Sequence, residues 1–144
     1  MDDRALSVLE DFERALFAGE DIRPFFHPEA FYEMSGDPPI GGRFEGVEAI
    51  YRCFEDRLVG LGPGLSYQDV SRVKYAAAGG KAIAEIHEKS WLPEDPEDVL
   101  EIRTCSVVTV KDGKILSLID YTDSGRYTAF LQRHRASLPK FQHS

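Results

Sequence analysis

After Gly64 the sequence changes character, and that change constrains the fold more than any other feature of the chain. Four strand-like runs follow one another: "SYQDVSRVKYAA", "KAIAEIHEKSWL", "DVLEIRTCSVVTV" and "KILSLIDYT". Between them stand "GG", "PEDPE" and "DG", which are turn signals. Gly79-Gly80 and Asp112-Gly113 fit two-residue hairpin turns. Strands joined that tightly pair antiparallel, so the second half of the chain is expected to be a meander.

The first half reads differently. Ala5, Leu6, Val8, Leu9, Phe12, Ala15 and Leu16 recur at helical spacing and predict a first helix ending near Gly19. "DIRPFF" reads as the start of a short second helix with Asp21 as N-cap, stopped at His27-Pro28 because a residue before proline avoids the helical region. "EAFYEM" is a short strand, and "SGDPPIGGRFEG" a loop. Val47, Ile50, Tyr51, Phe54 and Leu58 mark a third helix from about Gly46 to Val59. "DSGRYTAFLQRHR" is a C-terminal helix with Ser124 as its cap. Helices first and a meander after is an α+β pattern: a curved antiparallel sheet wrapped around the N-terminal helices. Its 144 residues suit one domain, placed at 1–138, with 139–144 as a frayed tail.

A balance of 17 basic against 25 acidic residues gives a net charge of −8, which disfavours nucleic acid or an anionic membrane as partner. No apolar run reaches the length of a membrane span, and the acidic, amphipathic start is not a targeting peptide. Cys53 on a helix and Cys105 in a strand lack metal or redox spacing and read as reduced thiols, pointing to the cytoplasm. The phosphate-loop, dinucleotide, nucleophile-elbow and zinc-protease motifs are absent, and the four histidines are scattered. No cofactor and no metal is expected. Carboxylate, tyrosine and arginine chemistry in an apolar setting remains.

The turns allow a register argument. If Asp112-Gly113 is the whole loop, Thr109 faces Leu116, Val107 faces Leu118 and Cys105 faces Asp120. One face then carries Arg103, Cys105, Val107, Leu118 and Asp120, with Arg103 diagonal to Asp120. The other carries Val108, Ile115, Ile119 and Tyr121, an apolar set that suggests a homodimer surface on the outer sheet face. If Gly79-Gly80 is likewise a two-residue loop, Lys74, Glu85, Arg72 and His87 form a solvated face, and Val73, Tyr75, Ala84, Ile86 and Glu88 point inward. A one-residue slip would exchange His87 for Glu88.

Each candidate has two readings. Asp120 and Arg103 form either an acid/base site or a structural ion pair, and Glu88 is either a pocket acid or a rim carboxylate. Asp37 before Pro38 is either a catalytic acid or a turn residue. Tyr32 is either a core residue or cavity wall, and its hydroxyl needs a partner. Met34, Cys105, Val107, Leu118, Phe54 and Trp91 complete the expected pocket, Trp91 alternatively packing at a strand end.

Two segments carry a family resemblance. "FHPEAFYEMSGDPPIGGRFEGVEAIYRCF" (Phe26 to Phe54) and "VKDGKILSLIDYTD" (Val110 to Asp123) resemble the SnoaL-like group of the nuclear transport factor 2-like superfamily. The resemblance implies a cone-shaped, cystatin-like roll. Its relatives include ketosteroid isomerases, polyketide cyclases, epoxide hydrolases and noncatalytic binders. Tyr32 and Asp120 match the tyrosine and last-strand acid of limonene epoxide hydrolases; Glu88 matches their second acid, but Ile86 stands where their arginine should be and Met34 where they have an asparagine. Asp37-Pro38 matches the Asp-Pro of ketosteroid isomerases, whose second acid falls near Cys105. Polyketide cyclases need only the last-strand acid. The expectation is a cofactor-independent acid/base enzyme on a small apolar oxygenated molecule, with Asp120 transferring protons, Arg103 and Glu88 tuning it, and Tyr32 orienting the substrate. The alternative is a noncatalytic binding or dimeric assembly module.

Overall fold

The computed structural model describes residues 3–38, 40–55 and 66–134. In chain order the elements are α1 (Arg4–Phe17), a 3-10 turn (Arg23–Phe25), β1 (Phe26–Met34), β2 (Gly42–Glu45), α2 (Val47–Phe54), β3 (Ser66–Ala77), β4 (Lys81–Leu92), β5 (Asp95–Lys111), β6 (Lys114–Thr122) and α3 (Ser124–Arg133). The strands form one sheet in the order β2-β1-β6-β5-β4-β3, antiparallel except for the parallel pair β1–β6. Helices packed against such a sheet give the α+β class that the sequence pattern predicts.

α1 buries Ala5, Leu9, Phe12 and Ala15, the apolar stripe of its sequence. It ends where Gly19 takes φ 74°, and the N–H groups of Ala18, Gly19 and Glu20 donate back to Arg14, Leu16 and Ala15. The expected second helix is a single 3-10 turn, because the chain is already extended at Phe26, just before His27-Pro28. Asp21 still serves the turn, its Oδ1 accepting from the Arg23 N–H at 3.0 Å. Phe12 meets Phe25, Phe26 and Phe54 edge-on, which fixes α1 against β1 and α2. The expected extension of α2 to Val59 and the tail at 139–144 lie outside the described residues.

Part of the expected loop after β1 is a strand. Arg43-Phe44-Glu45 pairs with β1 as a short, half-exposed edge, and the Arg43 guanidinium lies 3.7 Å over the Phe31 ring. The remainder of the loop is tied to the end of β6. The Ser35 N–H donates to the Asp120 carbonyl, while the Ser35 hydroxyl donates to the Thr122 carbonyl and accepts from its N–H. Asp123, not Ser124, caps α3, its Oδ1 accepting from Arg126 N–H at 3.0 Å.

Both hairpins depart from the expected register by one residue. At the first, Ala77 pairs with Lys81, so Ala78 joins Gly79 and Gly80 in a three-residue turn. Arg72 therefore faces Ile86 rather than His87, and Val70 faces Glu88. At the second, Asp112 (φ 55°) and Gly113 (φ 75°) form the expected tight turn and Lys111 pairs with Lys114. Two residues on, a bulge intervenes: Val110 pairs with Ile115, but Thr109 with Ser117, so Leu116 is the extra residue. Beyond it Val108 faces Leu118 and Ser106 faces Asp120. One inserted residue turns the whole of β5 over relative to β6. Its inner face carries Ile102, Thr104, Ser106 and Val108, and Arg103, Cys105 and Val107 point outward. Val108 and Ile115, expected on the outer face, are fully buried.

The core has two parts. The larger joins Leu9 and Phe12 to Phe26, Tyr32, Ile50, Ala84, Val108, Ile115 and Leu118. The smaller, Ile40, Leu92, Leu100, Ile102, Phe130 and Leu131, seats α3 on the sheet end. A hollow lies between the inner sheet face and the helices.

Candidate active site

The hollow has a volume of about 640 Å³. Leu9, Phe12, Phe54, Ile86, Ile102 and Leu118 supply much of its apolar wall, and Met34 lies in it as expected. Polar groups enter from the sheet: Asp120, Ser106, Thr104 and Thr122 from β5 and β6, Glu88 from β4, Arg72 from β3 and the Tyr32 hydroxyl from β1.

Asp120 is held by two neutral donors. The Ser106 hydroxyl, its direct cross-strand partner, donates to Oδ1 at 2.5 Å, and the Tyr32 hydroxyl donates to Oδ2 at 2.7 Å. Tyr32 is itself fixed, its ring against Phe54 at 4.9 Å between centroids. Among the described residues no cation stands within ion-pair distance of Asp120. Burial pushes its carboxyl above the ordinary range, and this outweighs the hydrogen bonds from Ser106 and Tyr32 and the more distant charge of Arg72.

Glu88 shares the cavity. Burial raises its pKa as well, opposed by Arg72 and reinforced by Asp120. Among the described residues its carboxyl has no hydrogen-bond partner. Glu13 of α1, 7% exposed, completes the ionisable set. Its Oε2 accepts from Arg72 Nη1 at 2.6 Å. Lys74 Nζ lies 3.1 Å from Oε1, yet out of line for a hydrogen bond, so among the described residues that buried oxygen has none.

No family model matches the chain, and no curated protein matches its sequence. Solved structures do match. Bal32a, from a soil-derived mobile gene cassette, superposes with a TM-score of 0.73 at 17% identity, covering 89% of this chain and 96% of that one. An NTF2-like protein from Burkholderia xenovorans gives 0.70 at 14% identity, over 90% and 97% of the two chains. An LEH-like epoxide hydrolase from M. tuberculosis gives 0.63 at 19% identity, over 94% of each. The fold is that of the nuclear transport factor 2-like proteins.

On this NTF2-like frame the site predicted from sequence is partly assembled and partly dispersed. Tyr32, Met34, Phe54, Glu88, Leu118 and Asp120 line one cavity. Arg103 is exposed on the outer face beside His87, its cross-strand partner, so it neither pairs with nor tunes Asp120. Cys105 and Val107 share that outer face because of the bulge at Leu116, and Cys53 takes the place of Cys105 as the thiol in the cavity wall. Trp91 is half-buried away from the cavity. Asp37 is an exposed turn residue whose carbonyl accepts from Gly41 N–H. His87 pairs with Glu101 at 2.9 Å.

Sequence reasoning missed Ser106, Arg72 and Glu13. The first two follow from the slipped registers. Glu13 carried a readable signal: four residues after Leu9 and three before Leu16, it sits on the apolar stripe of α1. Arg72 stands directly across from Ile86, where the resemblance left the arginine of the epoxide hydrolases unmatched. As for metals, Asp95, Asp98 and His134 converge at the foot of α3, but Asp98 is already bound bidentately by Arg133 at 2.9 and 3.0 Å and by His134 at 2.7 Å. A guanidinium in that position opposes a cation, and the cluster reads as a clasp for the helix.

Proposed function

We propose that the protein is a cofactor-independent acid/base enzyme acting on a small, apolar, oxygenated molecule, with Asp120 as the proton-transferring group. The observation that carries this reading is a carboxyl set inside a largely apolar hollow, gripped by two hydroxyls and raised by burial above the ordinary carboxyl range. Ionised, Asp120 accepts a proton from a water molecule or from a carbon beside a carbonyl. Glu88, held towards its protonated form, donates a proton to the oxygen on which charge develops. For an epoxide, water oxygen bonds to carbon, the carbon–oxygen bond opens, Asp120 takes the water proton and Glu88 supplies the alcohol proton. For a ketone, Asp120 removes the α-proton and Glu88 stabilises the enol oxygen. Tyr32 acts through Asp120, donating to it rather than to the substrate.

Two readouts test this. NMR in D2O follows deuterium uptake into a panel of enolisable ketones, and chromatography follows diol formation from a panel of epoxides. Turnover of one class that stops in Asp120→Asn supports the proposal. Turnover unchanged in Asp120→Asn refutes it.

We further propose a homodimer through the outer sheet face. Val73, Glu85, Cys105 and Tyr121 form one cross-strand row there, and Val73 and Tyr121 are 56% and 52% exposed. Light scattering should give twice the chain mass for the wild type and the single mass for Tyr121→Glu. A wild-type monomer would dismiss the dimer.

A further inference from the structure

Arg72 acts on Asp120 and Glu88 only through its distant charge, and within its own cluster with Glu13 and Lys74 the charges do not balance. One buried carboxylate meets two cations. Arg72 commits Nη1 to Glu13, and among the described residues its other N–H groups make no hydrogen bond. Its side chain is 25% exposed and lines the cavity, with the guanidinium 4.5 Å over the ring of Phe17, which is itself exposed at the cavity wall. Lys74 sits two residues along the same inner face of β3. Neither Glu88 nor Asp120 reaches ion-pair distance of either cation. In a chain of net charge −8, a cation with donors to spare at the cavity wall is not a general surface property; Arg72 lines the cavity that Glu88 and Asp120 share, and Lys74 meets Glu13 outside that lining.

We infer that Arg72, with the charge of Lys74 beside it, binds the carboxylate of an amphipathic acid whose apolar body fills the hollow. This rests on the proposed activity and names its substrate class: a carboxylic acid carrying a reactive epoxide or carbonyl along an apolar chain. One added carboxylate brings the cluster to two charges of each sign. A guanidinium with free, fixed donors on a rigid strand presents the planar fork that a carboxylate accepts. The apolar wall takes the body, and the distance along the cavity from Arg72 to Asp120 sets which carbon reaches the acid/base group.

The test is binding, measured by titration calorimetry with octanoate, octan-1-ol and octylammonium as probes of one chain length. At neutral pH the wild type should bind octanoate about 10- to 100-fold more tightly than octan-1-ol, the worth of one hydrogen-bonded charge. Arg72→Met should erase the preference, and Glu13→Gln, which removes the competing anion, should strengthen it. If Arg72→Met does not fold, Lys74→Met replaces it and should weaken octanoate while leaving octan-1-ol unchanged. Equal binding of octanoate and octan-1-ol, tighter binding of octylammonium, no octanoate binding, or a preference that survives these cation variants would each overturn the inference. The preference should also persist in Asp120→Asn. Loss of turnover there with the preference intact supports both readings, whereas turnover that depends on Asp120 without any preference overturns the substrate class alone.

Discussion

Replacing Asp120 by Asn keeps the shape of the side chain and removes its ability to ionise. Asp120 has its pKa raised in the folded protein, chiefly by burial. A carboxyl raised on folding contributes nothing adverse below its unfolded pKa, where both states hold the proton. As pH rises through the unfolded value and then the folded one, the unfolded state releases its proton first and the native state loses stability. Each pH unit between the two values costs the native state about 1.4 kcal/mol. An amide at this position escapes that loss, and the Ser106 and Tyr32 hydroxyls can rotate to suit it. The stability of Asp120→Asn relative to wild type should therefore climb from about pH 4, the ordinary aspartate value, until the folded carboxyl has ionised. The climb should be about 1.4 kcal/mol for every pH unit separating the folded and unfolded pKa values, seen as roughly 3–5 °C of Tm per kcal/mol for a domain of this size. Urea melts of both proteins at stepped pH give the difference, because titrating groups that do not feel Asp120 cancel and Glu88, which does, adds a smaller change of its own. A difference that falls with rising pH would mean the carboxylate is stabilised as an anion, and would refute the dominance of burial at this site.

Three further predictions address its surroundings. Tyr32→Phe and Ser106→Ala each remove one donor to the Asp120 carboxylate, so each should lower turnover about 10- to 100-fold and move the acid limb set by Asp120 to higher pH, read from pH–rate profiles. Glu13→Gln leaves Arg72 and Lys74 facing each other without an anion, and should cost about 1–3 kcal/mol in urea denaturation, less than for a fully buried pair because both cations are partly solvated. Gly36→Ala should destabilise by about 2 kcal/mol or more, since Gly36 has φ 95° and an added Cβ would lie 1.6 Å from Ser124 Oγ; a thermal melt matching wild type would contradict that close packing.

Most of the element order, though not β2, was legible because each signal is local. The apolar stripe of α1, the glycine that ends it and the two glycine turns each fix a few adjacent backbone angles. Asp120 was legible for the same reason, alternating with Leu118 on the inner side of β6. Its company was not. Whether Ser106 or Cys105 stands beside it depends on one extra residue at Leu116, and whether Arg72 or Val73 points inward depends on Ala78 joining a turn. Neither residue has a composition that marks a bulge or a turn. They are placed by how well two whole strands bury Val108, Ile115 and Ile102, which is a property of the assembled core. The parallel contact of β1 with β6 was hidden too, being set by a loop that closes through Ser35 on Thr122.

The proposed chemistry depends on the ionisation of a single side chain. Carbon-13 NMR of protein labelled at the aspartate carboxyls, with Asp120→Asn to assign the signal, follows that group as pH is raised. A midpoint clearly above that of an ordinary aspartate, moving higher still when Tyr32 is replaced by Phe, is what burial with two hydroxyl donors predicts. A midpoint at or below the ordinary value would place the carboxylate in water or in an ion pair, and would contradict the proton-transferring role.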